Sequence, residues 1–498
     1  MAKEYETVIG LEVHVELATR TKIFCGCSTA FGDRPNSHTC PICLGMPGTL
    51  PVLNRKVLEY AVAVGLAANC SIARDCRFDR KNYFYPDNPQ NYQISQLYLP
   101  ICRKGYVEIE IPEKTRGQED DAQGDILSGT KRIGIHEIHM EEDAGKLIHD
   151  EKEGCTLVDY NRAGVPLIEI VSEPDMRTAQ EVIAYLEKLR LIIQYLGASD
   201  CKIQEGSMRV DVNLSVREAG TETLGVRTEM KNLGSFRAIF KAIESERARQ
   251  IELIESGGKV VQETRRWDEG KEASYAMRSK EDARDYRYFP DPDLVPIHIS
   301  DRYLEEIRAG LPELCEEKRA RYKEQYDIPE YDINIITDSR HMAELFEATV
   351  ALGSQPKKVS NWLMGETLRL LKERGLDPED IAYSPENLAK LIAMTENKSI
   401  SSTMAKEVFE IMFTENIDPG EYVREKGLGM VSDEDILRGT AQKVARENPR
   451  SVQDYCHGKE RALGYLVGQT MKAVGGRADP VSVSRLLKEL LQQEIDEL

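Results

Sequence analysis

The chain has 498 residues, 41% of them hydrophobic and 30% charged, with a formal net charge of −19. That length predicts two to four domains with sizeable cores, and the acidity disfavours broad nucleic-acid binding while leaving room for a local basic face. No apolar run of about 18 residues is present, so no membrane span is expected; MAKEYETVIG lacks the apolar stretch of a secretion signal, which makes a cytoplasmic location the expectation.

The first predicted element is a strand, VIGLEVHVEL. Its period-two alternation puts Ile9, Leu11, Val13, Val15 and Leu17 on one face and Glu12, His14 and Glu16 on the other. Next come Cys25, Cys27, Cys40 and Cys43, as C-x-C, twelve residues, then C-x-x-C. With Gly26, Pro41 and Gly45 supplying tight turns, this spacing predicts a closed four-thiolate zinc site that holds loops in place. The other seven of the eleven cysteines are scattered and are expected to be reduced, ordinary thiols.

A helix over LNRKVLEYAVAVGLAA follows, then DRKNYFYPDNPQNYQISQ (79–96), a polar block expected to be an ordered loop, either a turn scaffold or a set of substrate contacts. Strand alternation returns in YVEIEI, GIHEIHM, SMRVDVNLSV and GVRTEM, interrupted by helices over AQEVIAYLEKLRLIIQYLG and, after a Ser235 cap, FRAIFKAIESERARQIELIES. The segment DYRYFPDPDLVP (285–296) carries Pro290, Pro292 and Pro296 and is expected to end the sheet region. Six amphipathic helical stretches follow between Ile299 and Phe413. The fold class is therefore α+β: an antiparallel sheet with helices on one side over 1–293, a helical domain over 294–418 and a second helical domain over 419–498.

The predicted strands carry the chemistry. Glu12 and His14, Glu141 and Glu142 after His136 and His139, Arg209 and Asp211, and Arg227, Glu229 and Lys231 place carboxylates, imidazole and cations on polar strand faces. Carboxylates brought close repel unless a cation sits between them, and divalent cations held this way bridge nucleotide phosphates. Neither a G-x-x-x-x-G-K-[ST] loop nor a G-x-G-x-x-G turn is present, so ATP use is expected on the sheet surface, through metals and Arg or Lys. From these residues a metal-dependent kinase or ligase competes with a zinc-containing RNA-binding protein without catalysis. The acidic faces favour the enzyme, since they would repel an RNA backbone.

Several long motifs together resemble the B subunit of the bacterial aspartyl/glutamyl-tRNA amidotransferases. They are ETVIGLEVHVEL, the knot with CPICLGMPGTLPVLN, RKNYFYPDNPQNYQISQ, HMEEDAGK, LVDYNRAGVPLIEIVSEPDMR, EGSMRVDVNLS, RTEMKNLGSFR, QETRRWDE, DYRYFPDPDLVP, VSNWLMGE and NPRSVQDYCHGKERALGYLVGQTMKAVGGRADP. The resemblance implies a cradle domain related to the glutamine synthetase and guanidino kinase sheet, a helical domain, and a tail similar to the YqeY-type proteins. It implies ATP-dependent phosphorylation of the side-chain carboxylate of Glu-tRNA(Gln) or Asp-tRNA(Asn), then amidation by ammonia. The ammonia comes from a partner amidase, and a small linking protein completes the heterotrimer. The resemblance assigns Glu12, His14, Glu142, Asp211 and Glu229 to catalysis and magnesium, with Glu141 as a neighbour; Lys81, Arg209, Arg227 and Lys231 are the expected nucleotide contacts among the Arg and Lys residues. The Lys-Ser-Ser system of the amidases and the large insertion of the archaeal type are both missing from this sequence.

The tail is where an acidic chain would meet tRNA. Between 440 and 478, Lys443, Arg446, Arg450, Lys459, Arg461, Lys472 and Arg477 stand against Glu447, Asp454 and Glu460, a local balance of 7 − 3 = +4. Lys459, Arg461, Lys472 and Arg477 are the expected phosphate contacts, with Gly464, Gly468, Gly475 and Gly476 allowing close approach.

Overall fold

The computed structural model describes residues 3–111, 129–150, 152–279, 285–429 and 434–496. They divide into two compact units, Met1–Leu314 and Cys315–Leu498.

In chain order the first unit contains β1 (Tyr5–Glu16), α1 (Arg55–Ala67), β2 (Ser71–Ile72), β3 (Asp75–Cys76), β4 (Asp79–Asn82), β5 (Tyr92–Ser95), β6 (Cys102–Ile111), β7 (Gly129–Glu142), β8 (Lys146–Asp150), β9 (Cys155–Asp159), β10 (Pro166–Ser172) and α2 (Ala179–Tyr195). It continues with β11 (Met208–Glu218), β12 (Thr228–Lys231), α3 (Phe236–Glu255), β13 (Glu263–Asp268), β14 (Ala273–Ser279), β15 (Phe289–Pro290), β16 (Ile297–His298) and α4 (Asp301–Ala309). Nine strands form one sheet in the order β14-β13-β12-β11-β1-β10-β7-β6-β2. Each neighbouring pair is antiparallel except β12 and β13, which run parallel.

The sheet has two chemically different faces because its strands alternate. Ile9, Leu11, Val13 and Val15 of β1 are at most 1% exposed and join a single core with Val182, Tyr185, Leu186 and Leu189 of α2 and Ile239, Ala242 and Ile243 of α3. Both helices start on capping side chains: Thr178 accepts from the Glu181 backbone N–H, and Ser235 from that of Ala238. The other face of the sheet carries the polar side chains.

The structure departs from the sequence expectation in three places. The central strand β10 is missing from the predicted strands, because PLIEIVS is almost continuously apolar and its alternation is masked. β12 begins at Thr228 and not at Gly225. A Cβ at Gly225 would lie 2.1 Å from the Val216 carbonyl oxygen, so only glycine fits this close approach, and Arg227 is left exposed ahead of the strand. The proline-rich segment does not simply end the sheet region. It returns to the polar block, with β15 pairing to β4 and Arg80 contacting Asp291 and Asp293 at 2.7 Å each, and just beyond it β16 pairs with β3.

The second unit is helical throughout its described residues. One core runs from Tyr322 to Val423 and another from Leu437 to Leu491. The expected helix over 358–375 is one continuous run from Pro356 to Arg374, containing a π turn at Leu363–Thr367 and stopped by Gly375 at φ +64°. No helix among the described residues is long and apolar enough to cross a membrane.

Glu246 of α3 ties this helix to the edge of the sheet. Its fully buried carboxylate accepts from Thr228 Oγ1 (2.9 Å), Gln250 Nε2 (2.8 Å) and Arg249, and faces Arg265 of β13 at 3.5 Å. Burial opposes its charge, but Arg249 and the hydrogen bonds outweigh burial and hold its pKa below the ordinary 4.5. A depressed pKa gives stability that is present at neutral pH and is lost as pH falls below that range. Glu246→Ala leaves Arg249 and Arg265 without their buried partner and is expected to cost about 3–5 kcal/mol in urea unfolding at pH 7. The gap to the parent should narrow on acidification below about pH 4.

Candidate metal and nucleotide site

Register across the sheet decides which polar residues meet. Glu12 of β1 lies opposite Asp211 of β11, and Asn213 of β11 lies opposite Glu229 of β12. Ligand oxygens of Glu12, Asp211 and Glu229 consequently fall within 4.8 Å of one another. Lys231 Nζ sits among them, 2.5 Å from Asp211 and 3.0 Å from Glu229, while Asn213 Nδ2 donates to Glu12 at 3.0 Å and Thr264 Oγ1 to Glu229 at 2.8 Å. Burial raises the Glu12 pKa, and the Glu169, Glu229 and Asp211 carboxylates add to it. Glu229 is held low against its burial by Lys231 and Thr264, and Lys231 is raised against its burial by Asp211 and Glu229. The one lysine pairs with two of the three carboxylates, and the shortfall shows at Glu12. An all-oxygen donor set with surplus negative charge fits a hard divalent cation such as Mg²⁺.

One step along the same strands, His14 of β1 lies opposite Glu169 of β10 on one side and Arg209 of β11 on the other, and Glu169 lies opposite His139 of β7. His14, Glu141 and Glu169 form a second group whose ligand atoms lie within 4.8 Å. His14 Nε2 is 3.4 Å from Glu169 and 3.7 Å from Glu141. Burial works against a charged His14, yet the Glu169 bond and the neighbouring carboxylates raise its pKa; His14 and His139 together hold Glu169 well below the carboxylate range against its own burial. This set also fits a divalent cation, with one nitrogen ligand added to the oxygens.

Both groups border a cavity of about 940 Å³ on the polar face. His14, Glu141, Asp211 and Lys231 line it, as do Lys81 from β4 and Arg209 from β11. Arg209 reaches Asp143 at 3.0 Å, and Arg162 reaches the same carboxylate at 3.4 Å. Glu16, beside Asp143, is pushed up to about 8 by burial and that neighbouring carboxylate. Lys81 lies 5.2 Å from the ring centroid of Tyr286.

Of the residues singled out in the sequence, Glu12, Asp211 and Glu229 come together, and His14 comes together with Glu141. Glu142 joins neither group. Alternation turns it to the opposite side of β7 from Glu141, where it accepts from Gln90 Nε2 (3.0 Å) and the Ile94 backbone N–H (2.9 Å). Burial pushes it up to about 8. Arg227 is exposed and does not line the cavity; it touches the site only through its field on Glu229. Sequence reasoning missed Glu169, the residue common to both histidines. The available signal was a single acid inside an apolar run, I-E-I.

The four knot cysteines also converge. Their Sγ atoms lie within 4.8 Å of one another, with Cys40 and Cys43 3.9 Å apart, close to the edge of about 3.8 Å of a tetrahedron with zinc–sulfur bonds of about 2.3 Å. The Cys43 thiol is pulled down to about 5 by a hydrogen bond from Cys25, which outweighs burial, with the Cys40 N–H and Lys22 helping. A thiolate is the form zinc takes. Between Cys27 and Cys40 the chain is strapped to the end of β9: the Asn36 N–H donates to Asp159 (2.9 Å), and the Tyr160 N–H to Asn36 Oδ1 (2.8 Å). The expected outcome of metal analysis is one zinc per chain. Cys40→Ser combined with Cys43→Ser should abolish it and make residues 28–39 the first site of limited proteolysis; a zinc-free parent protein would overturn the assignment.

A family profile described as the GatB/GatE catalytic domain matches residues 7–305, and another described as the GatB domain matches 344–491. The aspartyl/glutamyl-tRNA(Asn/Gln) amidotransferase B subunit of Lachnospira eligens is 65% identical over 496 residues, covering 98% of this chain and 100% of the relative. The proteins of the same name from Lachnoclostridium phytofermentans and Caldicellulosiruptor saccharolyticus are 62% and 55% identical, over 99% and 98% of this chain and 100% of each relative. With two profiles and full-length relatives agreeing, the chain belongs to the family of aspartyl/glutamyl-tRNA(Asn/Gln) amidotransferase B subunits.

Proposed function

We propose that this chain is the amide-forming component of a glutamine-dependent tRNA amidotransferase, a carbon–nitrogen ligase acting on Glu-tRNA(Gln), Asp-tRNA(Asn) or both. The γ-phosphoryl group of ATP passes to the side-chain carboxylate of the misplaced residue. Ammonia from a partner amidase then attacks the activated carbonyl, and phosphate leaves with the bonding pair. A small linking protein completes the heterotrimer, and the reaction belongs to cytoplasmic protein synthesis. The observation that carries this reading is the pair of acidic groups side by side on the sheet, next to a cavity lined by Lys81, Arg209 and Lys231.

The roles follow from charge. Glu12, Asp211 and Glu229 would hold one Mg²⁺, and His14, Glu141 and Glu169 a second cation. Bound there, the cations supply neutralisation of charge on the phosphates during transfer. Lys81 and Arg209 offer donors to phosphate oxygens from the cavity wall. Lys231 shields Asp211 and Glu229 from each other and, against burial, holds the Glu229 pKa down. Arg209 and Arg162 pair with Asp143 beside Glu16, whose pKa burial and that neighbour push up to about 8 at the cavity wall. Zinc at the knot would fix the loop next to β9 and take no part in the chemistry, since thiolates fill all its positions.

The domain reading is a cradle over 1–293, a helical domain over 294–418 and a YqeY-like tail over 419–498. In the tail, Arg461 and Lys472 lie on the helix Arg461–Ala473, Arg461 exposed and Lys472 within its last turn, and Lys459 is exposed but paired with Asp454 at 2.8 Å. Arg477 is half-buried and donates to the carbonyls of Val474 and Gly427, which supports a structural role beside any phosphate contact. The helix Pro419–Glu425 buries Val423 in the preceding core, so a truncation aimed at the tail alone should start after it.

Two expected outcomes test this reading. Asp211→Ala and Glu229→Ala should each reduce ATP-dependent transamidation by well over tenfold at saturating Mg²⁺ while leaving the thermal melt within a few degrees; wild-type turnover in both would overturn the site. Deleting 434–498 should raise KM for charged tRNA and flatten its salt dependence, with kcat retained at high tRNA concentration. Unchanged tRNA affinity would remove the tail from binding.

A further inference from the structure

Behind the cation group sits a residue that the proposed chemistry does not use. His139 is 8% exposed and does not line the cavity, whereas His14 and Glu141 do. Along the cross-strand row, Glu169 of β10 stands between His14 of β1 and His139 of β7. The His139 Nε2 lies 3.0 Å from Glu169 Oε2 and 3.8 Å from Glu141 Oε2. Its Nδ1 has no hydrogen-bond partner among the described residues, with Glu137 Oε1 3.9 Å away. The Nε2 side of the ring is therefore directed at Glu169, with Glu141 beyond hydrogen-bond distance.

The contacts divide the oxygens. Glu141 turns Oε1 to His14 and Oε2 to His139. Glu169 lies between the two histidines on flanking strands and turns Oε2 to both. Glu141 Oε2 accepts from Ser95 Oγ at 3.4 Å, closer than His139, whereas Glu169 Oε2 is held by the His139 imidazole at 3.0 Å, which sets the direction of the Glu169 carboxylate. A carboxylate free to rotate would lose that direction. Donors behind metal-binding carboxylates act in this way in general, and removing them weakens the metal by about 10–100-fold.

We propose that His139 is a positioning residue that fixes Glu169 for a divalent cation held with His14 and Glu141. It does not touch substrate. The inference rests on the cation reading of the His14–Glu141–Glu169 group, and the test separates the two.

The probe is Mn²⁺ binding to the full-length chain, followed by electron paramagnetic resonance without ATP or tRNA. Two Mn²⁺ per chain are expected for the parent. His14→Ala should remove one, and Asp211→Ala should remove the other. His139→Ala should weaken the His14 site by about ten- to a hundredfold and leave the Asp211 site at parental affinity, which also shows that the variant is folded. His139→Gln, whose amide can still donate to Glu169, should recover part of the loss. Parental affinity at both sites in His139→Ala would overturn the proposal, because a space-filling residue behaves that way. Parental Mn²⁺ binding in His14→Ala would instead show that this group holds no cation, and would overturn the cation reading and the proposal together. If His139→Ala does not fold, parental affinity in His139→Phe, which keeps the bulk without the donor, overturns the proposal in the same way.

Discussion

Electrostatic repulsion on one face of a sheet governs how the first unit is built. β7, β10, β1, β11 and β12 bring six carboxylates into two adjoining groups or their edges: Glu12, Asp211 and Glu229, with Glu141, Glu169 and Asp143 beside them. Such a surface holds only if positive charge is interleaved. The sheet interleaves it by register, with His139, Glu169, His14 and Arg209 in one cross-strand row. Lys231 does the same for the other group from the neighbouring strand. The compensation is incomplete, and the remaining negative charge fits a cation at each group.

The apolar face makes that arrangement rigid. β1 is paired on both edges over Glu12–Val15 and backed by α2 and α3, so its polar side chains project from a strand that cannot shift without breaking two ladders. β12 is short, and its position depends on α3 through the buried Glu246 cluster that includes Thr228. Glu229 and the lysine that compensates it therefore stand on a four-residue strand anchored by a helix behind the sheet. The cysteine knot plays the corresponding part for a loop: it closes the chain at Cys27 and Cys40, and the segment between them is bonded to the end of β9 at the cavity edge.

The second unit works by different physics. Its two cores are built from helices, several of them with serine or aspartate caps, such as Ser339, Ser384, Ser401 and Asp418, and its basic residues lie largely on exposed surfaces. The net charge of −19 is unevenly spread, with an acidic sheet face in the first unit and a local balance of +4 over 440–478 in the second.

Elements with clear periodicity, and the site whose ligands are close in the chain, were legible in the residues alone. The alternation of GLEVHVEL and SMRVDVNL is visible there, as are the cap at Ser235 and the C-x-C/C-x-x-C knot, because local spacing fixes strand faces, helix starts and turn-bound ligands. Glu12, Asp211 and Glu229 could also be named as candidates, though they are far apart in the chain. Their grouping emerged only with the folded sheet. Glu141 and Glu142 are neighbours in sequence, yet the pleat sends them to opposite faces, and only Glu141 meets His14. Glu169 was hidden in an apolar run because β10 is central and its alternation is blurred by burial. His139 gained a role once the antiparallel register set it opposite Glu169. Which residues lie across from one another is settled by strand order and register, which depend on hydrogen bonds between segments more than 100 residues apart, and no local pattern encodes those.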